Sequence, residues 1–275
     1  MQDDLLQWED STLHYTYSVK GEQPIICFHG YGEDATRFHF LENSLPVAYS
    51  LFCINLPFHG LTQWPGKRAF TPDILIEMIR SILQKHFNPV YPGNPHWILA
   101  GYSMGSRVAL SIYQHIPIQV DKLVLLAPDG LKVNFWYWLA TQTSGGNRFF
   151  AFTMRNPQWF FGLVRFLHKA RLLNASIFKF VNFYIGDPVV RQQLFDRWTT
   201  LRKFKPSLSL IKKEIRQQHT KVRLIYGIHD RIIRSSVGKK FCSGIENQCQ
   251  LTEIHAGHQV LHEKHMKEIL PAFLQ

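Results

Sequence analysis

Residues 97–110 read WILAGYSMGSRVAL, and the fold is decided there. Trp97–Ala100 is a continuous apolar run, of the kind buried on both faces of a parallel sheet. From Gly105 to His115 the apolar residues fall at helical spacing. Between the two lies Gly101-Tyr102-Ser103-Met104-Gly105, a G-x-S-x-G pentapeptide. The pattern alone is weak: at ~7% usage of Gly and Ser it arises by chance in roughly one chain in ten of this length. The strand before it and the helix after it supply the strand–turn–helix setting of a nucleophile elbow. Such a turn strains the backbone of Ser103 and crowds its flanks, so positions 101 and 105 must be very small. It presents the Ser103 hydroxyl at the carboxyl edge of a sheet and at a helix N-terminus, where developing negative charge is favoured. The competing reading is an ordinary glycine-rich turn between a strand and a helix.

Similar apolar runs recur at Pro24–Phe28, Leu51–Leu56, Leu123–Ala127 and Val222–Tyr226, with a weaker one at Gln250–His255. The alternating segment 11–20, STLHYTYSVK, predicts a strand paired with residues near Leu6–Trp8. Helices are predicted from Thr71-Pro72-Asp73, an N-cap with proline at the first helical position, to about His86. Further helices are predicted over Gly105–His115, Ser236–Ile245 and Val260–Phe273. Strands alternating with helices mean an α/β fold with a mostly parallel sheet flanked by helices. The alternation stops at Pro128 and resumes at Lys221. The division expected is a core of 1–130 and 221–275 with an inserted helical cap at 131–220, which includes a helix over 158–171.

The 275 residues carry a net charge of +11, and its location is informative. Segment 131–220 holds 15 Lys/Arg against only Asp187, Asp196 and Glu214, a net +12, so the remainder of the chain is at −1. The same segment holds 18 of the 38 aromatic residues, among them Phe135-Trp136-Tyr137-Trp138 and Trp159-Phe160-Phe161. Two readings of this block stand: a lid whose rings form its own small core beneath a solvated basic rim, or a surface for anionic membranes or amphiphilic acids. Nucleic acid is not expected, because no nucleic-acid-reading motif accompanies the charge. Arg148, Arg155 and Arg165 are candidates to line a pocket.

The four cysteines, Cys27, Cys53, Cys242 and Cys249, are too scattered for a disulfide framework, and none forms CxxC, so zinc is not expected. Cys27 and Cys53 sit in apolar runs and read as buried thiols. MQDDLLQWED at the start is acidic and lacks a signal core, and no apolar run reaches the ~20 residues of a membrane span. A reducing cytoplasm fits these features.

With these residues in place, the chain resembles the α/β-hydrolase superfamily, of the type with a helical cap. The resemblance covers nearly the whole sequence. Cys27-Phe28-His29-Gly30-Tyr31-Gly32 matches the family's His-Gly motif after the first parallel strand. Asn55-Leu56-Pro57-Phe58-His59-Gly60-Leu61-Thr62 stands where the family often shows D-x-P-G-H-G-x-S, with Asn55 for the acid and Phe58 for the glycine. The elbow matches, Tyr226-Gly227-Ile228-His229-Asp230 matches the acid's position, and Ala256-Gly257-His258 matches that of the late histidine. The resemblance implies a Ser103–Asp230–His258 triad in the family's chain order, with an oxyanion hole from the backbone N–H groups of Met104 and Tyr31. It implies hydrolysis of a carboxylic ester or thioester, with no metal or organic cofactor. Chemically, a serine hydroxyl needs a neighbouring base, and that base needs an acid to fix its tautomer.

Alternatives remain at this level. His255, His262 and His265 compete with His258, and Asp129 in Ala127-Pro128-Asp129-Gly130 competes with Asp230, although a D-G pair also reads as a turn. His29 and His59 read as hydrogen-bonded loop or core residues. Arg107 reads as a surface residue or a partner for a substrate carboxylate. Gly-Tyr-Ser-Met-Gly-x-Arg also resembles the menaquinone-pathway lyase/synthase branch, with Ser106 in place of a common glycine. Carbon–carbon bond hydrolases share the triad. A non-catalytic binding module on the same scaffold is the rival outside enzymology.

Overall fold

The computed structural model describes residues 1–66, 68–87, 96–132, 135–170 and 185–275. Eight strands form one sheet: β1 (Gln2–Trp8), β2 (Ser11–Ser18), β3 (Gln23–Phe28), β4 (Tyr49–Ile54), β5 (Trp97–Tyr102), β6 (Val120–Leu126), β7 (Lys221–Gly227) and β8 (Cys249–Ile254). Their order is β1-β2-β4-β3-β5-β6-β7-β8. β1 and β2 pair antiparallel, as do β2 and β4, and every other pair is parallel. The five continuous apolar runs read from sequence are therefore the central parallel strands, and the weaker one is the edge strand β8.

Side chains alternate between the two faces of a strand. Ile25, Cys27, Leu51, Cys53, Ile98, Ala100, Val124, Leu126 and Ile225 belong to one core layer with Phe38, Leu41, Ile269 and Phe273. Ile26, Phe28, Leu99, Leu123 and Leu125 are equally buried on the opposite face. Cys27 and Cys53 are opposite in register between β3 and β4 and are buried free thiols, as expected. Both faces are thus covered, which is why these strands carry no polar alternation.

Helix α1 (Pro72–Phe87) starts as its sequence predicts: Thr71 Oγ1 accepts from the Ile74 N–H at 3.3 Å, and Leu75, Ile76, Ile79, Ile82 and Leu83 form its buried stripe. Helix α2 (Met104–Tyr113) is buried along its whole length behind the elbow. The last helix begins later than predicted. Val260 and Leu261 are buried but not helical, because the Val260 N–H turns back to the His258 carbonyl at 2.8 Å. His262 then caps a short 3₁₀ turn, Glu263–His265, ahead of the helix Met266–Leu274.

The chain divides into two compact units, Met1–Lys132 with Lys203–Gln275, and Val133–Arg202. Residues 203–220, assigned to the inserted block from sequence, group with the sheet. Phe204 packs against Phe70 with ring centres 5.2 Å apart, and Ser207 N–H donates to the Gln114 side chain at 2.9 Å. The helix Leu208–Gln218 that follows buries Ile211 and Ile215.

The smaller unit contains α3 (Phe135–Gln142), α4 (Ser144–Arg155), α5 (Gln158–Lys169) and α6 (Pro188–Thr200). The helix expected to reach Arg171 ends at Lys169, and Arg171 lies outside the described residues. Met154, Val164 and Ile185 form a small core against Phe150, Phe160, Phe161 and Phe195. Arg191 Nε donates to the Met154 carbonyl at 2.7 Å and ties α6 to α4.

One cysteine expectation is corrected. Cys242 and Cys249 form a disulfide. The turn between the helix Ser235–Cys242 and β8 doubles the chain back and brings the two Cα atoms within 5.4 Å, a proximity that spacing alone does not reveal. Cysteine usage therefore no longer argues for a reducing compartment. Among the described residues no helix is long and apolar enough to cross a membrane.

Candidate active site

Ser103 follows β5 directly and precedes α2, with φ of 50° and ψ of −114°. A non-glycine residue at positive φ is strained, and here the surroundings impose it. The Ser103 N–H donates to the Leu126 carbonyl at 2.9 Å, and its own carbonyl accepts from Ser106 and Asp129 N–H groups, each at 3.0 Å. The flanking glycines are required for two separate reasons. A Cβ at Gly101 would lie 2.5 Å from Ser106 backbone atoms, across the elbow. A Cβ at Gly105 would lie 2.0 Å from the Phe28 carbonyl oxygen, at the end of β3. Only the first is the crowding across the turn expected from sequence; the second locks the elbow against the neighbouring strand.

The loops after β7 and β8 are stitched together. The His229 N–H donates to the Ala256 carbonyl at 3.0 Å, and the Ile228 N–H to Ile254 at 2.9 Å. This places Asp230 beside His258. Asp230 Oδ2 lies 2.8 Å from His258 Nδ1, and His258 Nε2 lies 3.0 Å from Ser103 Oγ. Asp230 is fully enclosed, at 0% side-chain exposure, and its Oδ1 accepts the N–H groups of Ile232 and Ile233 at 2.7 and 2.9 Å. With those acceptor sites filled, Oδ2 is left for the imidazole.

The competing residues are placed elsewhere. His262 Nδ1 accepts from Lys264 N–H, His265 is buried, and His255 is exposed with its ring near His229. Asp129 caps its own turn, taking the Gly130 N–H at 2.8 Å, and stands 3.6 Å from Arg107 Nε. Arg107 is therefore buried beside an acid rather than at the surface. His29 accepts from Leu56 N–H through Nε2, and its Nδ1 lies 2.8 Å from the Gly30 carbonyl. His59 Nε2 accepts from Gly32 N–H at 3.2 Å. Both histidines brace the loops around the site. Met104 opens α2 next to Ser103, and Tyr31 lies in the loop after β3, its ring 6.2 Å from that of His59. Asn55, in place of an acid, holds this region by accepting the Ala35 N–H at 2.8 Å, and Phe58 sits at φ of 63°, where glycine is usual.

The sequence profile described as alpha/beta hydrolase fold matches residues 23–265. The chain belongs to the alpha/beta hydrolase family. Among its relatives, the hydrolase YugF of Bacillus subtilis, itself described as uncharacterized, is 22% identical over 254 residues, 90% of this chain and 88% of that one. The pimeloyl-[acyl-carrier protein] methyl ester esterase of Nitrosospira multiformis is 25% identical over 123 residues, 43% of this chain and 44% of that one. The solved thioesterase domain of the curacin biosynthetic pathway superposes with a TM-score of 0.64 at 12% identity, covering 100% of this chain and 99% of that one, a likeness of fold.

The chain carries a group beside the candidate site that sequence reading missed. Glu33 Oε1 lies 3.3 Å from Arg37 Nε. Arg37 donates to the Gln259 side chain at 2.6 Å and to the Leu261 carbonyl at 3.2 Å. Tyr102, at the end of β5, donates its hydroxyl to the His258 carbonyl at 3.2 Å. Burial holds the Tyr102 phenol above its ordinary range, and the Glu33 charge adds to the shift. Burial likewise raises the Glu33 carboxyl, against the opposing charge of Arg37. The only sequence signal was an i,i+4 acid–base pair in a loop, which ordinarily marks a solvated surface.

Proposed function

We propose that the protein is a serine hydrolase that cleaves a carboxylic ester or thioester through an acyl-enzyme on Ser103. The observation that carries this reading is the continuous line Ser103 Oγ–His258 Nε2–His258 Nδ1–Asp230 Oδ2, at 3.0 and 2.8 Å. Ser103 Oγ attacks the acyl carbon while His258 Nε2 takes its proton. Asp230 stabilises the resulting imidazolium and keeps the proton of the resting imidazole on Nδ1. The N–H groups of Met104 and Tyr31 are the proposed oxyanion donors, each worth ~2.7–4 kcal/mol in the transition state by analogy with such holes. The imidazolium returns its proton to the departing alcohol or thiol. Water, activated by the same histidine, then releases the acid.

Elimination or carbon–carbon cleavage would use the same three residues, so substrate class separates them from this reading. The test is labelling by a fluorophosphonate probe, followed by turnover of p-nitrophenyl esters and acyl-CoA thioesters. Labelling with ester or thioester turnover, both abolished in Ser103→Ala, supports the proposal. Absence of labelling refutes it and favours a binding module. Labelling without turnover of either class favours the other chemistries.

The substrate or its setting is proposed to be amphiphilic and anionic, with an anionic lipid surface as partner. The support lies in α4 and α5. Phe149, Phe152, Trp159, Leu163 and Phe166 are exposed, with Phe166 at 67%, although the small unit has its own aromatic core. Exposed Arg148, Arg155, Arg165 and Lys169 stand on the same two helices, and no Asp or Glu occurs between Asp129 and Asp187. Each cation near an anionic surface adds ~1 kcal/mol. Ser103→Ala protein should sediment with phosphatidylglycerol vesicles more than with phosphatidylcholine vesicles, and salt near ~0.5 M should weaken this. Equal partitioning at low salt would refute the lipid partner while leaving the hydrolase reading intact.

A further inference from the structure

Glu33 has no place in the triad, yet it is not a solvated loop acid. Its side chain is 16% exposed, its Oε2 is buried, and the Gly30 backbone and the Gln259 side chain favour its charged form. Burying a carboxylate is unfavourable unless something nearby uses the charge. Arg37, four residues on, meets Oε1 and extends to Gln259 and Leu261, the segment that follows His258. A Cβ at Gly30 would be 2.9 Å from both Glu33 Oε2 and the Tyr102 ring, so Glu33 and Tyr102 both pack against Gly30. The Tyr102 ring centre is 5.6 Å from that of His258, and its hydroxyl holds the His258 carbonyl. Glu33 therefore anchors a strut through Arg37 to Gln259 and Leu261, and packs on Gly30 together with Tyr102, which holds the His258 carbonyl. Its own N–H bonds the Gly30 carbonyl at 3.3 Å, which ties the same unit to the loop bearing Tyr31.

We propose that Glu33 is a positioning residue: as a carboxylate it anchors Arg37 and the His258 segment, fixes the spacing between that segment and the loop after β3, and stabilises positive charge on His258 through space. The inference rests on the reading of Ser103 and His258 as the reacting pair. The ionisable groups that face Glu33 are Arg37 from its own turn, Tyr102 from β5 and His258 from the loop after β8, while Asp230 acts on Tyr102 from the loop after β7. The charges of Arg37 and His258 both favour ionised Glu33. By reciprocity, ionised Glu33 favours the imidazolium that forms when Ser103 gives up its proton.

The test is the rate of fluorophosphonate labelling of Ser103, which needs no knowledge of the substrate, followed from pH 5 to 9 in wild type, Glu33→Gln and Glu33→Asp. Glu33→Gln keeps the shape and removes the charge. Its plateau rate should fall about tenfold, since small misplacements of a base are costly. Its acid limb should move to lower pH by roughly half a unit, because a nearby anion no longer favours the protonated imidazole. Glu33→Asp keeps the charge but withdraws it from Arg37, so its plateau should fall while its acid limb stays near that of wild type. Glu33→Gln with an unmoved limb, whatever its plateau, overturns the proposal and leaves Glu33 a packing residue. If Glu33→Gln does not fold, a Glu33→Asp plateau equal to wild type overturns it as well. Wild-type protein that fails to label refutes the hydrolase reading itself, a distinct result.

Discussion

Asp230→Asn separates the two acids that compete for the same histidine. The substitution changes one oxygen to an amide nitrogen inside a closed pocket, where Asp230 has no exposed side-chain surface. The two backbone donors, Ile232 and Ile233 N–H at 2.7 and 2.9 Å, still require an oxygen acceptor, so the Asn carbonyl stays with them. The amide NH₂ is then forced towards His258 Nδ1, now at 2.8 Å from Oδ2. Two donors cannot face each other, so Nδ1 gives up its proton and Nε2 carries it instead. Nε2 then donates towards Ser103 Oγ and is no longer a base. In triads of this kind the wrong tautomer costs ~10⁴ in rate, about 5.5 kcal/mol at 1.36 kcal/mol per tenfold. Asp129→Asn has no such lever. Its carboxylate is a third exposed, stands 3.6 Å from Arg107 and caps its own turn, so the loss should stay below about tenfold, the scale of a surface charge interaction. The assay is fluorophosphonate labelling and ester turnover of both variants, with circular dichroism to establish folding. If Asp129→Asn proves the slower enzyme, the acid lies after β6 and the tautomer argument fails.

Gly105→Ala should cost more stability than an ordinary overpacking change of ~1–3 kcal/mol, because the added methyl meets the Phe28 carbonyl at 2.0 Å; thermal denaturation near that of wild type would contradict the interlock of elbow and strand. Lys122, buried on β6 with Nζ donating to the Phe273 carbonyl at 2.6 Å, has its amine lowered to about 8 by burial and by the charges of Lys221 and Arg223. The unfolded chain then binds the extra proton between that value and ~10.4, so wild-type stability should rise from pH 8 to 10 relative to Lys122→Met, and a constant difference would refute this. Paired Cys242→Ser and Cys249→Ser substitutions should lower stability by about 2 kcal/mol by releasing a short closed loop, measured by urea titration under non-reducing conditions.

The central strands were legible because both of their faces are buried, which leaves an uninterrupted apolar run as a signature. Ser103 was legible because the elbow needs two small residues and a helix start at fixed offsets. Asp230 was selected over Asp129 by resemblance and because the Asp129-Gly130 pair reads as a turn; both end a buried strand, and the stitching of His229 to Ala256 is what sets Asp230 beside His258. The boundary at 203–220 was not legible, since the helical pattern around Ile211 and Ile215 shows that a face is buried but not against which unit. The Val260 turn escaped for a related reason: adjacent buried residues in a short segment fit a helix and a tight turn equally well. Glu33 escaped because its partner Arg37 is held by Gln259, a contact across 222 residues of chain.

The small unit has an asymmetry of charge with an effect on its response to ionic strength. Between Val133 and Arg202 nine Lys/Arg face only Asp187 and Asp196, so the unit folds against its own repulsion and its aromatic core supplies the cohesion. Screening ions relieve that repulsion and, at the same time, weaken attraction to any anionic surface. Salt therefore acts on this unit with opposite signs: the concentration that best holds its helices together is the one at which an anionic partner lets go.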